Sequence, residues 1–105
     1  KALGVTSAQR YSVAPELPTL QEAGVRGFDV STWIGALAPA RVGEARQREL
    51  HAAVTQALSQ PAVKAQLAQQ GLEWVGSSPA EFETFMSAEA QRWHDLVIAQ
   101  KLSFG

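Results

Sequence analysis

The tetrapeptide Ser78-Pro79-Ala80-Glu81 constrains the fold more than any other part of the chain. Ser78 offers an N-cap hydroxyl. Pro79 suits the first helical position, where a missing N–H costs nothing. Glu81 stands three residues after Ser78 and completes a capping box. The residues that follow predict a helix to about Gln100, with Phe82, Met86, Ala90, Trp93 and Val97 as an apolar stripe. A helix of this length with one greasy face must be laid against something else. Leu102 to Gly105 are expected as a short tail.

The preceding residues alternate between strand and helix signals. Ala2 to Thr6 reads as a short buried strand leaving into a loop at Ser7. Pro15 and Pro18 punctuate an irregular stretch. Thr19-Leu20-Gln21-Glu22 forms a second capping box, and Gly24 limits its helix to one or two turns. Phe28 to Ala38 carries the next strand signal, ended by Pro39. Val42 to Ser59 predicts a helix with Leu50, Val54, Ala57 and Leu58 on one face. Pro61 opens another helix with Val63 and Leu67 inward and Gly71 at its end, and Leu72 to Val75 is a brief strand candidate. Short strands alternating with helices, and a long C-terminal helix, predict an α/β fold. Three short strands make a small sheet, so further strands are expected on the N-terminal side.

Composition narrows the function classes. A chain of 105 residues holds one modest domain or a piece of a larger one. Its net charge of -1 and scattered basic residues give no electrostatic footprint for nucleic acid. With no cysteine, a disulfide framework and a thiolate zinc site are excluded. No apolar run approaches the roughly 20 residues that span a bilayer. The opening Lys1-Ala2-Leu3-Gly4-Val5-Thr6 reads as the middle of a fold rather than a signal peptide, and the expectation is a processed or shortened chain.

Catalytic patterns are missing. His51 and His94 are the only histidines, and neither has a second at ligand spacing, so no metal or other cofactor is expected. His94-Asp95 lacks the further His and Asp residues of a metal phosphohydrolase; the chain's one other Asp is Asp29. Glu81 is explained by capping, and Glu89 with Arg92 by helix-surface pairing. There is no Gly-rich phosphate loop and no Gly-x-Ser-x-Gly elbow. Trp33, Trp74 and Trp93 suit core packing better than ligand stacking. The residues themselves favour no catalysis and name no ligand.

Read in order, several blocks resemble the periplasmic receptors of the tripartite tricarboxylate transporters, the Bug family. They are Val5-Thr6-Ser7 with Arg10; Leu17-Pro18-Thr19-Leu20-Gln21-Glu22-Ala23-Gly24; Gly27-Phe28; Trp33-Ile34-Gly35-Ala36-Leu37-Ala38-Pro39; Gly71-Leu72; Ser78-Pro79-Ala80-Glu81-Phe82; and Glu89 with Arg92-Trp93. The resemblance covers nearly the whole chain. One departure is Arg41-Val42-Gly43, where the family usually has a Gly-Thr-Pro-like turn; the helix loses its initial Pro there.

The resemblance implies a two-lobed periplasmic binding protein, type II-like, that closes over its ligand. Residues 1–30 would end the second lobe. Residues 31–105 would cross the hinge and pack on the first lobe, or form a single compact unit if expressed alone. The hinge would lie between Gly27 and Trp33 or near Pro39. The implied partners are a small carboxylate (a tricarboxylate, dicarboxylate, amino acid or aromatic acid) and the transporter's membrane subunits. A signal peptide would lie upstream. Most ligand-contacting loops of the family also lie upstream, so this chain would be part of the binding unit, and if truncated it would self-associate. Backbone N–H groups at loop turns hold carboxylates well, and strand exits of α/β sheets are where ligands bind. Thr6, Ser7 and Arg10 are therefore the expected ligand-binding residues, against the plainer reading of a solvated loop. Thr19 is read as a cap. Two competing readings are an effector-binding domain of a transcriptional regulator, which shares the two-lobed architecture, and an α/β hydrolase or lyase, which the missing nucleophile and His/Asp motifs disfavour.

Overall fold

Three helices carry the regular structure of the computed structural model, which describes residues 1–102. They are α1 (Glu44–Leu58), α2 (Pro61–Gln69) and α3 (Pro79–Ala99). The part of the expected C-terminal tail beyond Leu102 lies outside the described residues.

Helix α3 forms as its caps dictate. The Ser78 hydroxyl accepts from the Glu81 N–H at 3.3 Å, and the Glu81 carboxylate accepts from the Ser78 N–H at 2.7 Å. These bonds hold the Glu81 carboxyl below the ordinary glutamate value, through the Ser78 backbone N–H first and its hydroxyl second. The helix ends one residue before the expected Gln100, which becomes its C-cap. Lys101 then turns left-handed at φ 50°. Its N–H reaches the Ile98 carbonyl and the Leu102 N–H reaches that of Val97, a Schellman ending.

Helix α2 begins at Pro61, as expected, and closes the same way. Gly71, at φ 78°, takes the left-handed position, with Gly71 N–H on Ala68 and Leu72 N–H on Leu67. Helix α1 begins at Glu44, with Gly43 as an N-cap that offers no side-chain bond. The lost Pro does not prevent the helix. Its covered face overlaps the expected one at Leu58 alone. His51, Thr55 and Leu58 are half-buried, while Leu50 and Val54 are 42% and 37% exposed. The Leu50–Val54 stripe finds no cover within the described residues.

Of the expected α/β fold the described residues show the helical part: they are helix-rich and contain no strand beyond a single bridge. The first strand candidate reduces to one parallel bridge between Val5 and Thr19. It is made by Val5 N–H on Pro18 and Leu20 N–H on the Val5 carbonyl, both 2.9 Å. Phe28 to Ala38 and Leu72 to Val75 are irregular. The reason is physical. A helix satisfies its own backbone, but a strand exists only beside a neighbour that completes the ladder. Among the described residues no neighbour extends such a ladder beyond the single bridge. The Thr19–Glu22 capping box does form, at 3.1 Å in both directions, but it closes a turn rather than a helix.

No apolar side chain among the described residues is fully buried, and Thr19 alone is buried, at 2% exposure. The accessible surface is 8663 Å², against roughly 5,700 Å² for a compact protein of this mass. The radius of gyration is 17.0 Å, against about 13 Å for a compact domain of this length. The fold therefore lacks a core of its own, and its greasy faces point outward.

Candidate ligand loop

The loop that follows the Val5–Thr19 bridge holds all three expected ligand residues. Thr6 is exposed, and its carbonyl accepts the Val30 N–H at 3.0 Å. The Ser7 hydroxyl donates to the Gln9 carbonyl at 2.7 Å, a bond that tightens the loop on itself. Arg10 does not stand alone as a cation. Its Nε donates to both Glu22 carboxylate oxygens, at 2.9 and 3.2 Å, and its Nη1 donates to the Pro15 carbonyl at 3.1 Å. Glu22 thus does two jobs: it caps Thr19 and anchors Arg10. The structure brings Thr6, Ser7 and Arg10 into one loop and gives Arg10 a role in shaping it.

Four further residues, Asp29, Arg92, Ser12 and Glu73, fix this loop. The Asp29 carboxylate accepts the Ala8 N–H at 3.0 Å. The Asp29 carbonyl accepts Arg92 Nη1 at 2.7 Å, across 63 residues. Ser12 donates to the Glu73 carboxylate at 2.5 Å, tying the far end of the loop to the segment between α2 and α3. Arg92 and Glu89 do pair as their spacing predicts, at 2.6 Å, which leaves Nη1 aimed at Asp29. Asp29 carries no local signal of this role, because its partners are 21 and 63 residues away.

A second cluster lies where the Trp33 segment meets the start of α3. Trp33 makes edge-on contacts with Phe82 and Phe85, at 5.6 and 5.4 Å between ring centroids. Trp33 and Phe85 remain 43% and 41% exposed. His51 Nε2 lies 3.1 Å from the Ser77 carbonyl and links α1 to the segment that opens α3. His94 pairs only with its neighbour Asp95, at 3.3 Å on an exposed surface. No group of three or more His, Cys, Asp or Glu residues among those described is placed to hold a metal ion. No helix among the described residues is long and apolar enough to cross a membrane.

A family model described as "Tripartite tricarboxylate transporter family receptor" matches residues 1–102. The chain belongs to this receptor family. Its relatives include the "UPF0065 protein in tcbD-tcbE intergenic region" of Pseudomonas sp. (strain P51), 36% identical over 104 residues, covering 98% of this chain and 31% of that protein. The "UPF0065 protein in clcB-clcD intergenic region" of Pseudomonas knackmussii is 32% identical over 104 residues, covering 98% and 62%. "Protein BugT" of Bordetella pertussis is 31% identical over 97 residues, covering 92% and 30%. The chain spans about a third of the length of two of these relatives and under two thirds of the third. Bug-family receptors are periplasmic and bind substrate for membrane transporter subunits. The Trp33-x-Gly35 and Ser78-Pro79-Ala80-Glu81-Phe82 blocks that carry the family resemblance meet physically: a β-carbon on residue 35 would collide with the Phe82 ring.

Proposed function

We propose that this chain is the C-terminal part of an extracytoplasmic solute-binding receptor that captures a small carboxylate for a tripartite tricarboxylate transporter. The class of acid (tricarboxylate, dicarboxylate, amino acid or aromatic) stays open within that reading. The observation that carries it is the receptor-family match over residues 1–102, in a chain whose Thr6–Arg10 loop already binds a carboxylate oxygen through the Ala8 N–H. The bond from the Ala8 N–H to Asp29 supports a reading in which neighbouring N–H groups hold a ligand's carboxylate without a net protein charge. Thr6 and Ser7 supply hydroxyls at that loop. Arg10, neutralised by Glu22, acts through the shape of the loop.

In this reading residues 1–30 end the second lobe of a two-lobed binder. Residues 31–105 cross the hinge and pack on the first lobe. The exposed apolar surface supports the division. Ile34 and Leu37, in the crossing segment, are 79% and 75% exposed. A shallow apolar groove between Val30, Trp93, Leu96 and Ala99 runs along α3. Surface of this kind is covered in a stable monomer, and in this reading the further length of a relative-length polypeptide supplies the cover.

The test is a thermal-shift screen of the protein at the length of its relatives, against small carboxylates and their neutral amides. A shift with one acid and none with its amide supports the reading and identifies the anchoring group. Equal shifts with acid and amide, or no shift with any acid, contradict it.

A further inference from the structure

We infer that Asp29 is the positioning residue of the ligand loop, and that Arg92 couples this loop to α3. The inference rests on the receptor reading for its functional part only. Residues 29 and 30 run beside the loop and grip it at two points. The Val30 N–H donates to the Thr6 carbonyl, and the Asp29 carboxylate accepts the Ala8 N–H, both at 3.0 Å. Between these two bonds sits Ser7, so its hydroxyl and backbone are framed on both sides.

The grip is itself anchored. Arg92 Nη1 donates to the Asp29 carbonyl at 2.7 Å, while Glu89 holds Nη2 at 2.6 Å. The guanidinium also lies over the Trp93 ring, 5.5 Å from its centroid. Its fork is therefore fixed by three partners, and little freedom remains to be lost when it bonds the Asp29 peptide. The result is a short chain of charge-assisted hydrogen bonds from α3 through Asp29 to the loop. A rotation of α3 relative to residues 28–30 cannot proceed without breaking the Arg92 bond or dragging Asp29, and with it Ala8. This is a coupling between helix position and loop geometry, built from groups that lie far apart in sequence.

A rival role for Asp29 makes the opposite prediction. Were its carboxylate a stand-in that occupies the ligand's own N–H, removing it would tighten binding. Positioning predicts the reverse, and it needs the acceptor oxygen rather than the charge.

The experiment uses the protein at the length of its relatives, with Asp29→Ala, Asp29→Asn and Arg92→Ala. Amide hydrogen exchange over residues 5–10 is read without ligand. We expect Asp29→Ala to speed exchange in this segment about fivefold to tenfold, as loss of one such bond implies. Arg92→Ala should do so by a smaller factor, and Asp29→Asn by less than about twofold, since its amide oxygen still accepts. Unchanged exchange in Asp29→Ala overturns the inference. Affinity is then measured by titration with citrate, malate, glutamate and benzoate. Weakening of about tenfold or more in Asp29→Ala, with Asp29→Asn near the unsubstituted protein, supports positioning. Tighter binding in Asp29→Ala overturns it in favour of the stand-in. If the unsubstituted protein binds none of the four acids, the carboxylate reading is what has failed, and the exchange data still decide the clamp.

Discussion

The ring of Phe82 rests on Gly35: a β-carbon at residue 35 would overlap the ring, coming within 2.9 Å of one edge atom besides the atom it strikes. Gly35 is thus required for want of a side chain rather than for an unusual backbone angle. Its absence of bulk lets Phe82 reach Trp33 edge-on at an interplanar angle of 81°. Gly35→Ala should therefore destabilise the relative-length protein by about 1–3 kcal/mol, the usual range for overpacking. The same change made in a Phe82→Ala background should cost close to nothing, because the clash is already gone. Urea unfolding of the four-member cycle checks this, and equal costs in both backgrounds would refute the contact.

The capping box at α3 makes a pH prediction. The Glu81 carboxyl titrates below the ordinary glutamate value because it accepts from Ser78. A folded-state pKa that is depressed stabilises the fold above the unfolded pKa, and this contribution is lost as pH falls through the folded value. The stability difference between the unsubstituted protein and Glu81→Gln should thus be present at pH 7 and shrink at an acidic pH below the ordinary glutamate range. Ser78→Ala, which removes the other half of the box, should cost about 1 kcal/mol at pH 7. Denaturant titrations at the two pH values read both effects.

Lys101 sits in the left-handed region at φ 50°, where glycine is the natural occupant of a Schellman ending. Helix α2 uses Gly71 at the equivalent position. Lys101→Gly should accordingly stabilise the end of α3 by about 1 kcal/mol, through relief of the β-carbon strain. Thermal unfolding or exchange protection of the last turn measures it, and a loss of stability would contradict the assigned ending.

The exposed faces predict the behaviour of the isolated chain. Leu50 and Val54 on α1, Trp93 and Leu96 on α3, and Ile34 and Leu37 between Trp33 and Pro39 are all open to solvent. Residues 1–105 alone should self-associate in light scattering, with the association reduced by Trp93→Ser or Leu37→Ser. A rigid monomer at high concentration would count against the packing proposed for these faces.

The legible parts of this fold were those whose causes are local. Ser78, Pro79 and Glu81 announce α3 because an N-cap is settled within four residues, and Pro61 with Gly71 brackets α2 for the same reason. The strand signals at Ala2–Thr6, Phe28–Ala38 and Leu72–Val75 name residues that want a sheet but cannot supply the neighbouring strands. Among the described residues Val5 forms one bridge with Thr19, and Val30 gives one bond to Thr6, but no ladder extends from either. Of the expected α1 face, Leu58 is half-buried, but His51 and Thr55 share that covered side while Leu50 and Val54 stay exposed. Covering depends on chain brought from elsewhere. In the candidate loop, Arg10 and Glu22 each stand out in sequence, but their ion pair depends on a turn between them, and Asp29 meets Ala8 and Arg92 through tertiary structure alone.

The relative-length protein is expected to bind a small acid through its carboxylate. Calorimetric titration with the acid that gives the largest thermal shift, and with its amide, tests this most directly. The expected result is saturable one-to-one binding of the acid, with the amide weaker by at least about 1.5 kcal/mol, the lower bound for hydrogen bonds to a charged group, or more than tenfold in Kd. Equal affinity for the acid and its amide would contradict it.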